Sequence, residues 1–204
     1  MRIILTAREA GLSEAWRKWC GDLDFVSVHD GSILDVTADA IVSPANSFGF
    51  MDGGIDALYS QSFGWHVQER LRRAIADGHH GELIVGAAEI VETDAPTIGY
   101  LIAAPTMRVP MELDSRTINP YLAVRAALLL VRHGVLRIGP FAGERIADHV
   151  RSIAFPGMGT GIGRVPFDTC ARQCRAAIDE VLVRGPTLPD TWLEAKSRHR
   201  SLHG

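Results

Sequence analysis

Asp39-Ala40-Ile41-Val42-Ser43-Pro44-Ala45-Asn46-Ser47-Phe48-Gly49-Phe50-Met51-Asp52-Gly53-Gly54-Ile55-Asp56 is the stretch whose reading decides the fold. Asp39 to Ser43 is short and largely apolar, the pattern of a strand buried in a sheet. Pro44 to Gly54 is rich in Asn, Ser and Gly and reads as a loop. From about Ile55 the spacing turns helical and stays so to Ala76. A strand, a glycine-bearing loop and a helix in that order form the unit from which layered α/β domains are built.

The chain carries a second such unit. Ser152–Phe155 reads as the last strand, Pro156 to Pro166 as a glycine loop, and about Pro166 to Val183 as the final helix. Proline suits a first helical turn, where an N–H has no helical partner. Between and around these units the signals alternate. Met1–Leu5 reads as a strand, Leu12–Cys20 as a helix through Leu12, Trp16 and Trp19 with Ser13 as a candidate cap, and Phe25–His29 as a strand. The helical stretch after Ile55 offers Leu58, Trp65, Leu71 and Ile75 to the core and bends at Gly64. Leu83–Val91 and Thr97–Ala103 read as strands on either side of Asp94-Ala95-Pro96, and Thr117–Val131 as a helix with Leu122, Ala126, Leu129 and Leu130 inward. The domain is expected to span residues 1–184. Residues 185–204 are expected to form a tail with a short helical piece at Trp192–Ala195.

Composition bounds the function. With 204 residues, 47% hydrophobic and 22% charged, the chain can bury one sizeable core. A net charge of −3 leaves no footprint for bulk nucleic-acid binding. Arg70, Arg72 and Arg73 read as a solvated helix face. No apolar run approaches the roughly 18 residues of a membrane span, and the N-terminal apolar stretch is too brief for a secretory leader. Three cysteines, Cys20, Cys170 and Cys174, lack framework spacing and point to a reducing, cytoplasmic setting. Cys170 and Cys174 share a helix face and read as packing groups, with no metal site implied.

The two loops can carry chemistry. Gly53 and Gly54 let backbone approach a ligand, and the helix opening there offers free N–H groups to a phosphate. Asp56, in its first turn, reads either as a partner for the helix dipole or as a group that orients a water or a sugar hydroxyl. Glycines 157, 159, 161 and 163 can form a backbone cradle for a diphosphate; the plain alternative is a pair of tight connections. The second loop is not a dinucleotide fingerprint, because Ile162 follows Gly161 where the pattern departs and no second βαβ half remains after it. No Gly-Lys-Ser or Gly-Lys-Thr and no Gly-x-Ser-x-Gly occurs. His79 and His80 read as a solvated turn.

Asp39 to Ser47, Gly53-Gly54-Ile55-Asp56, and Ser152 to Pro156 followed by Gly159-Thr160-Gly161-Ile162 together resemble the macrodomain family, in an order that runs from about residue 30 to 183. The resemblance implies a three-layer α/β/α sandwich with a mixed central sheet that binds ADP-ribose, free or on a modified macromolecule, with no cofactor. By position it implies that Asn46 meets the distal ribose, that Gly53, Gly54 and Ile55 line one side of the diphosphate, and that Gly159, Thr160, Gly161, Ile162 and Gly163 line the other. Ser32 and Ile33 fall at the adenine end. Asp56 matches the acid that helps activate a water in hydrolytic members, so Asn46 and Asp56 are the implied catalytic pair.

Several positions depart from the family. Ser32 replaces an aspartate that often contacts the adenine; Asp30 and Asp35 stand nearby. Gly163 replaces an aromatic that stacks on the distal ribose, which Phe48 or Phe50 can supply. Ser43 replaces the first asparagine. Asp52 replaces a glycine, either raising one pKa by its charge beside Asp56 or pointing to solvent. Ala104 to Pro110 resembles a bacterial and phage-associated subgroup. Three functions stay open: an ADP-ribosyl hydrolase, a binding module without turnover, and a scaffold that kept only the fold.

Overall fold

The computed structural model describes residues 1–44 and 46–203. Six strands form one sheet: β1 (Arg2–Ala7), β2 (Val26–Asp30), β3 (Ala40–Ser43), β4 (Glu89–Glu92), β5 (Tyr100–Ala103) and β6 (Ser152–Phe155). Their order across the sheet is β2-β1-β6-β3-β5-β4. Five strands run parallel, and β4 pairs antiparallel with β5 at one edge. The sheet is therefore mixed.

Among the described residues seven α-helices accompany it: α1 (Ala10–Cys20), α2 (Gly54–Phe63), α3 (His66–His79), α4 (Asn119–His133), α5 (Ile146–His149), α6 (Phe167–Ile178) and α7 (Trp192–Arg200). A two-residue period in the strands divides the core in two, because alternate side chains leave opposite faces. Ile3, Leu5, Val42, Ile153 and Phe155 pack with α1, α4 and α6. Ile4, Ile41, Leu101 and Ala154 pack with α2 and α3. The result is the expected α/β/α sandwich. Burying a side chain such as Phe155, which is wholly enclosed, contributes roughly 1.5–3 kcal/mol.

Local chemistry explains the breaks. Gly64 takes φ +96° and separates α2 from α3, a conformation that favours glycine. Asp39 ties the starts of β3 and β6 together. Its carboxylate accepts the Arg151 and Ser152 N–H groups at 2.9 and 2.8 Å and the Ser152 hydroxyl at 2.7 Å. The chain after α6 continues as a wide helical turn, Asp179–Arg184. Further on, Leu202 is buried, and the residues around it are held to α6 by Arg172 and Gln173.

Some readings need correction. Ser13 lies inside α1 rather than capping it, and its hydroxyl serves the Asp30 carboxylate. Ala126 of α4 is buried as expected, but the rest of the inward stripe is Ala123, Val124, Ala127, Leu128 and Val131, one residue out of phase with Leu122, Leu129 and Leu130, which are half-buried. Leu58 and Trp65 are exposed, whereas Leu71 and Ile75 are core residues. Leu83 to Ala88 is not strand; β4 begins at Glu89. Helix α3 runs through His79, whose ring meets the buried Glu89 carboxylate at 3.0 Å, so it is not a solvated turn. Arg70 is no plain solvated group either, since it pairs with Asp94 at 2.8 Å. The cysteines are free and buried. Burial pushes the Cys20 thiol up to about 12 and Cys174 well above its ordinary value, which makes them packing groups.

Candidate functional site

The five parallel strands end on one side of the sheet, where α/β folds present their ligand sites. The segments that follow β1, β2, β3, β5 and β6 there surround a cleft of about 700 Å³. Strands β3 and β6 are neighbours, so the two glycine-bearing loops leave the sheet side by side. They line one cleft together.

The first loop is built by Asn46. Its Oδ1 accepts the N–H groups of Phe48 and Phe50 at 3.1 and 3.3 Å, and its Nδ2 donates to the Phe50 carbonyl at 2.8 Å. Asparagine suits this role because its side chain can hydrogen-bond the backbone two residues on. The amide that sequence comparison aims at a ribose is thus spent largely on its own loop, with one Nδ2–H left over. Gln68 and Ser60 fasten the loop from behind, each bonded at 2.7 Å to the backbone of the buried Met51. Phe48 and Phe50 line the cleft, each with a guanidinium over its ring: Arg108 at 5.0 Å and Arg72 at 4.2 Å from the centroid. Such pairs are favourable through the ring quadrupole.

Gly53 caps α2, and Gly54 takes φ +56°. A Cβ at either would meet nothing within 4 Å, so the helix N-terminus opens into free space. The first N–H groups of a helix have no intrahelical partner and favour anions. Asp56, in the same turn, is only 7% exposed. Its Oδ1 accepts the Ser43 hydroxyl at 2.5 Å. Burial raises its pKa to about 7, against the lowering effect of Ser43. Asp52 is exposed and plays no part in that shift, which settles between the two expectations for it.

The second loop is folded on itself. Val165 and Arg164 donate backbone N–H groups to the carbonyls of Gly159 and Gly161 at 3.1 and 3.0 Å, and Leu113 to Gly163 at 3.1 Å. Gly159 takes φ +73°. Gly161 and Ile162 are exposed on the cleft, while Gly163 is buried in the loop. All five residues from Gly159 to Gly163 line the cleft, as do Asn46, Gly53, Gly54, Ile55 and Asp56.

Ser32 and Ile33 line the far end. Ser32 caps a short 3₁₀ turn, accepting Leu34 N–H at 3.2 Å, while Asp35 accepts the Ser32 N–H at 3.2 Å. Asp30 is engaged with Arg17 and Ser13. Both nearby acids therefore have local duties, and neither lines the cleft. Sequence reasoning missed the segment after β1, where Arg8, Glu9 and Leu12 form part of the wall, and also Met107 and Val109 after β5. The position of Arg8 just beyond a parallel strand was the available signal.

The Macro domain family model matches residues 42–174, a span that runs from the last two residues of β3 through β4, β5 and β6 into α6 and contains both loops. An uncharacterized protein of Aquifex aeolicus is 33% identical over 156 residues, covering 76% of this chain and 80% of the relative. One from Aeropyrum pernix is 29% identical over 160 residues, covering 78% and 72%. Among solved structures, an Oceanobacillus iheyensis macrodomain variant with ADPR superposes with TM-score 0.60 at 19% identity, covering 76% of this chain and 77% of that one. The macrodomain of Mycobacterium tuberculosis DarG gives 0.58 at 16%, covering 74% and 88%. Sheet order, cleft position and these matches agree: the chain belongs to the Macro domain family.

Proposed function

We propose that the cleft binds ADP-ribose and that the protein hydrolyses an ADP-ribosyl linkage on a modified macromolecule or ADP-ribose derivative. The observation that carries this reading is a buried carboxyl, Asp56, in the first turn of the helix whose open N-terminus faces the second glycine loop across one cleft. The ligand in the Oceanobacillus iheyensis structure supports it.

In this reading the diphosphate lies between two sets of backbone N–H groups, Gly53 to Ile55 on one side and Gly159 to Gly163 on the other. The adenosine end extends past Ser32 and Ile33. The distal ribose sits near Asn46 and Asp56. Asn46 holds the Phe48–Phe50 turn and turns its remaining N–H to the sugar. Asp56 orients a water toward the anomeric carbon. A new carbon–oxygen bond forms there, and the bond to the target's oxygen or nitrogen breaks with its electron pair on the target. The water's proton passes to Asp56 and then to the departing group, aided by the substrate's diphosphate. A carboxyl that titrates near neutrality can both take and return that proton. We assign residues 1–184 to this domain, residues 185–204 to a tail, and the working setting to the cytoplasm.

The test is release of free ADP-ribose from glutamate-, aspartate-, serine- and nucleobase-linked substrates. Turnover that disappears in Asp56→Ala while ADP-ribose binding persists supports hydrolysis. No release from any of the four classes rejects it. Binding without release is the second reading, a non-catalytic ADP-ribose module, and the engagement of the Asn46 amide by its own loop is the observation that favours it.

A further inference from the structure

Ser43 is the last residue of β3, wholly buried, and it does not line the cleft. Its hydroxyl nevertheless reaches one that does, donating to Asp56 Oδ1 at 2.5 Å. The two residues sit on different elements, a central strand and the first turn of α2, so the bond fixes the carboxyl relative to the sheet. A hydrogen bond donated to a carboxylate favours its charged form, and burial opposes it.

The other groups around Asp56 do not duplicate this contact. Tyr59, on the next turn of α2, is buried and donates its hydroxyl to the Val42 carbonyl at 3.0 Å. Asp52 is exposed on the loop. Arg8 and Glu9 line the cleft beyond β1, two strands away from β3. Among the described residues no cation contributes to the titration of Asp56, and the Ser43 hydroxyl acts to lower it against the raising effect of burial. The N-terminus of α2 adds a diffuse preference for negative charge. The directed contact is that of Ser43.

We infer that Ser43 is a positioning residue: its hydroxyl fixes one carboxylate oxygen of Asp56 and leaves the second for the attacking water, an inference that rests on the hydrolytic reading above. Ser43 lies behind the cleft wall and not on it. It acts through Asp56, by orientation and by holding a proton affinity that lets the acid work near neutral pH.

The experiment is a carbon-13 NMR pH titration of the Asp56 carboxyl in the parent, Ser43→Ala and Ser43→Thr proteins, with Asp56→Asn to assign the signal. The midpoint is expected to rise by about one pH unit in Ser43→Ala and to stay near the parent in Ser43→Thr, which keeps the hydroxyl. ADP-ribose affinity by calorimetry at pH 8.5 is expected to stay within about threefold in Ser43→Ala, since Ser43 is outside the cleft. The acid limb of ADP-ribose release should move with the midpoint. An unmoved midpoint in Ser43→Ala overturns the inference, as does a threonine variant that moves as far as alanine. If the midpoint moves but the parent releases no ADP-ribose, hydrolysis falls and the hold of Ser43 on Asp56 stands. If the parent turns over and the midpoint is unmoved, hydrolysis stands and the inference falls.

Discussion

Gly163 lies so close to the Gly159 carbonyl that a Cβ at position 163 would stand 2.5 Å from that oxygen. Backbone cannot give way as a flexible side chain can, so the loop admits only glycine there. The same contact explains why no aromatic occupies this position. Gly163→Ala should therefore destabilise the protein by about 1–3 kcal/mol, the cost of forcing a group into packed space, and weaken ADP-ribose binding at least tenfold as the loop opens. Gly161→Ala is the control, because a Cβ there meets nothing within 4 Å. Its stability in urea should stay within about 0.5 kcal/mol of the parent. Equal effects at the two positions would contradict the packing argument.

Gly53 separates fold from ligand. Its φ of −135° is open to any residue and its Cβ position faces empty space. Gly53→Val should stay folded, its thermal midpoint lowered by no more than the few degrees that a poorer helix N-cap costs. It should also lower ADP-ribose affinity tenfold or more, because the side chain fills ground a diphosphate needs. At Gly54 the same change costs stability as well, about 1–3 kcal/mol, because φ is +56° there. Calorimetry showing full affinity in folded Gly53→Val would remove the diphosphate from this loop.

Much of this arrangement was legible in the sequence, and the reasons are local. Ala40 to Ser43 reads as strand because every one of its residues is buried, and Gly53-Gly54 and Gly159 to Gly163 mark places where backbone faces open space or turns sharply. What escaped is set by tertiary contact. Periodicity put leucines inward on α4, but the alanines at 123 and 127 face the core and leave Leu129 and Leu130 at the border. Leu58 reads as core because it is a large apolar residue in a helical stretch, yet it is exposed and lines the cleft. The bond from Ser43 to Asp56 joins residues thirteen positions apart, a pairing no local pattern encodes. The motif position of Asn46 implies a ligand contact, whereas its amide closes its own turn, a role set by the fold of the loop.

Asp39 governs behaviour in acid. Burial acts to raise its carboxyl, but the Ser152 hydroxyl and the Arg151 and Ser152 N–H groups outweigh it and hold the group below its usual range. A depressed folded-state pKa contributes stability above the unfolded value, and that stability is lost as pH falls through the folded one. Asp39→Ala should cost about 2 kcal/mol at pH 7, since charged hydrogen bonds are lost and the two donors of the buried Ser152 lose their acceptor. The gap from the parent should narrow steadily below pH 4. Urea denaturation from pH 2.5 to 7 measures it, and a gap that does not change with pH would show that packing, not charge, explains the loss.

Asp56 works in the opposite direction. Its folded-state pKa is raised from an ordinary value of 3.8 to about 7, so between those two values the folded protein keeps a proton that the unfolded chain releases. Stability from this group is complete below pH 3.8 and drains away as pH rises toward 7. At 1.36 kcal/mol per pH unit the loss is on the order of 4 kcal/mol. Asp56→Asn cannot titrate, so its stability advantage over the parent should grow from pH 4.5 to 7 and then level off. Because Asp39 and every other acid are common to both proteins, the difference between their urea curves isolates this one carboxyl. An advantage that stays flat across that range would mean that Asp56 is already ionised at pH 4.5, and a water-activating acid poised near neutrality would then have no basis in this site.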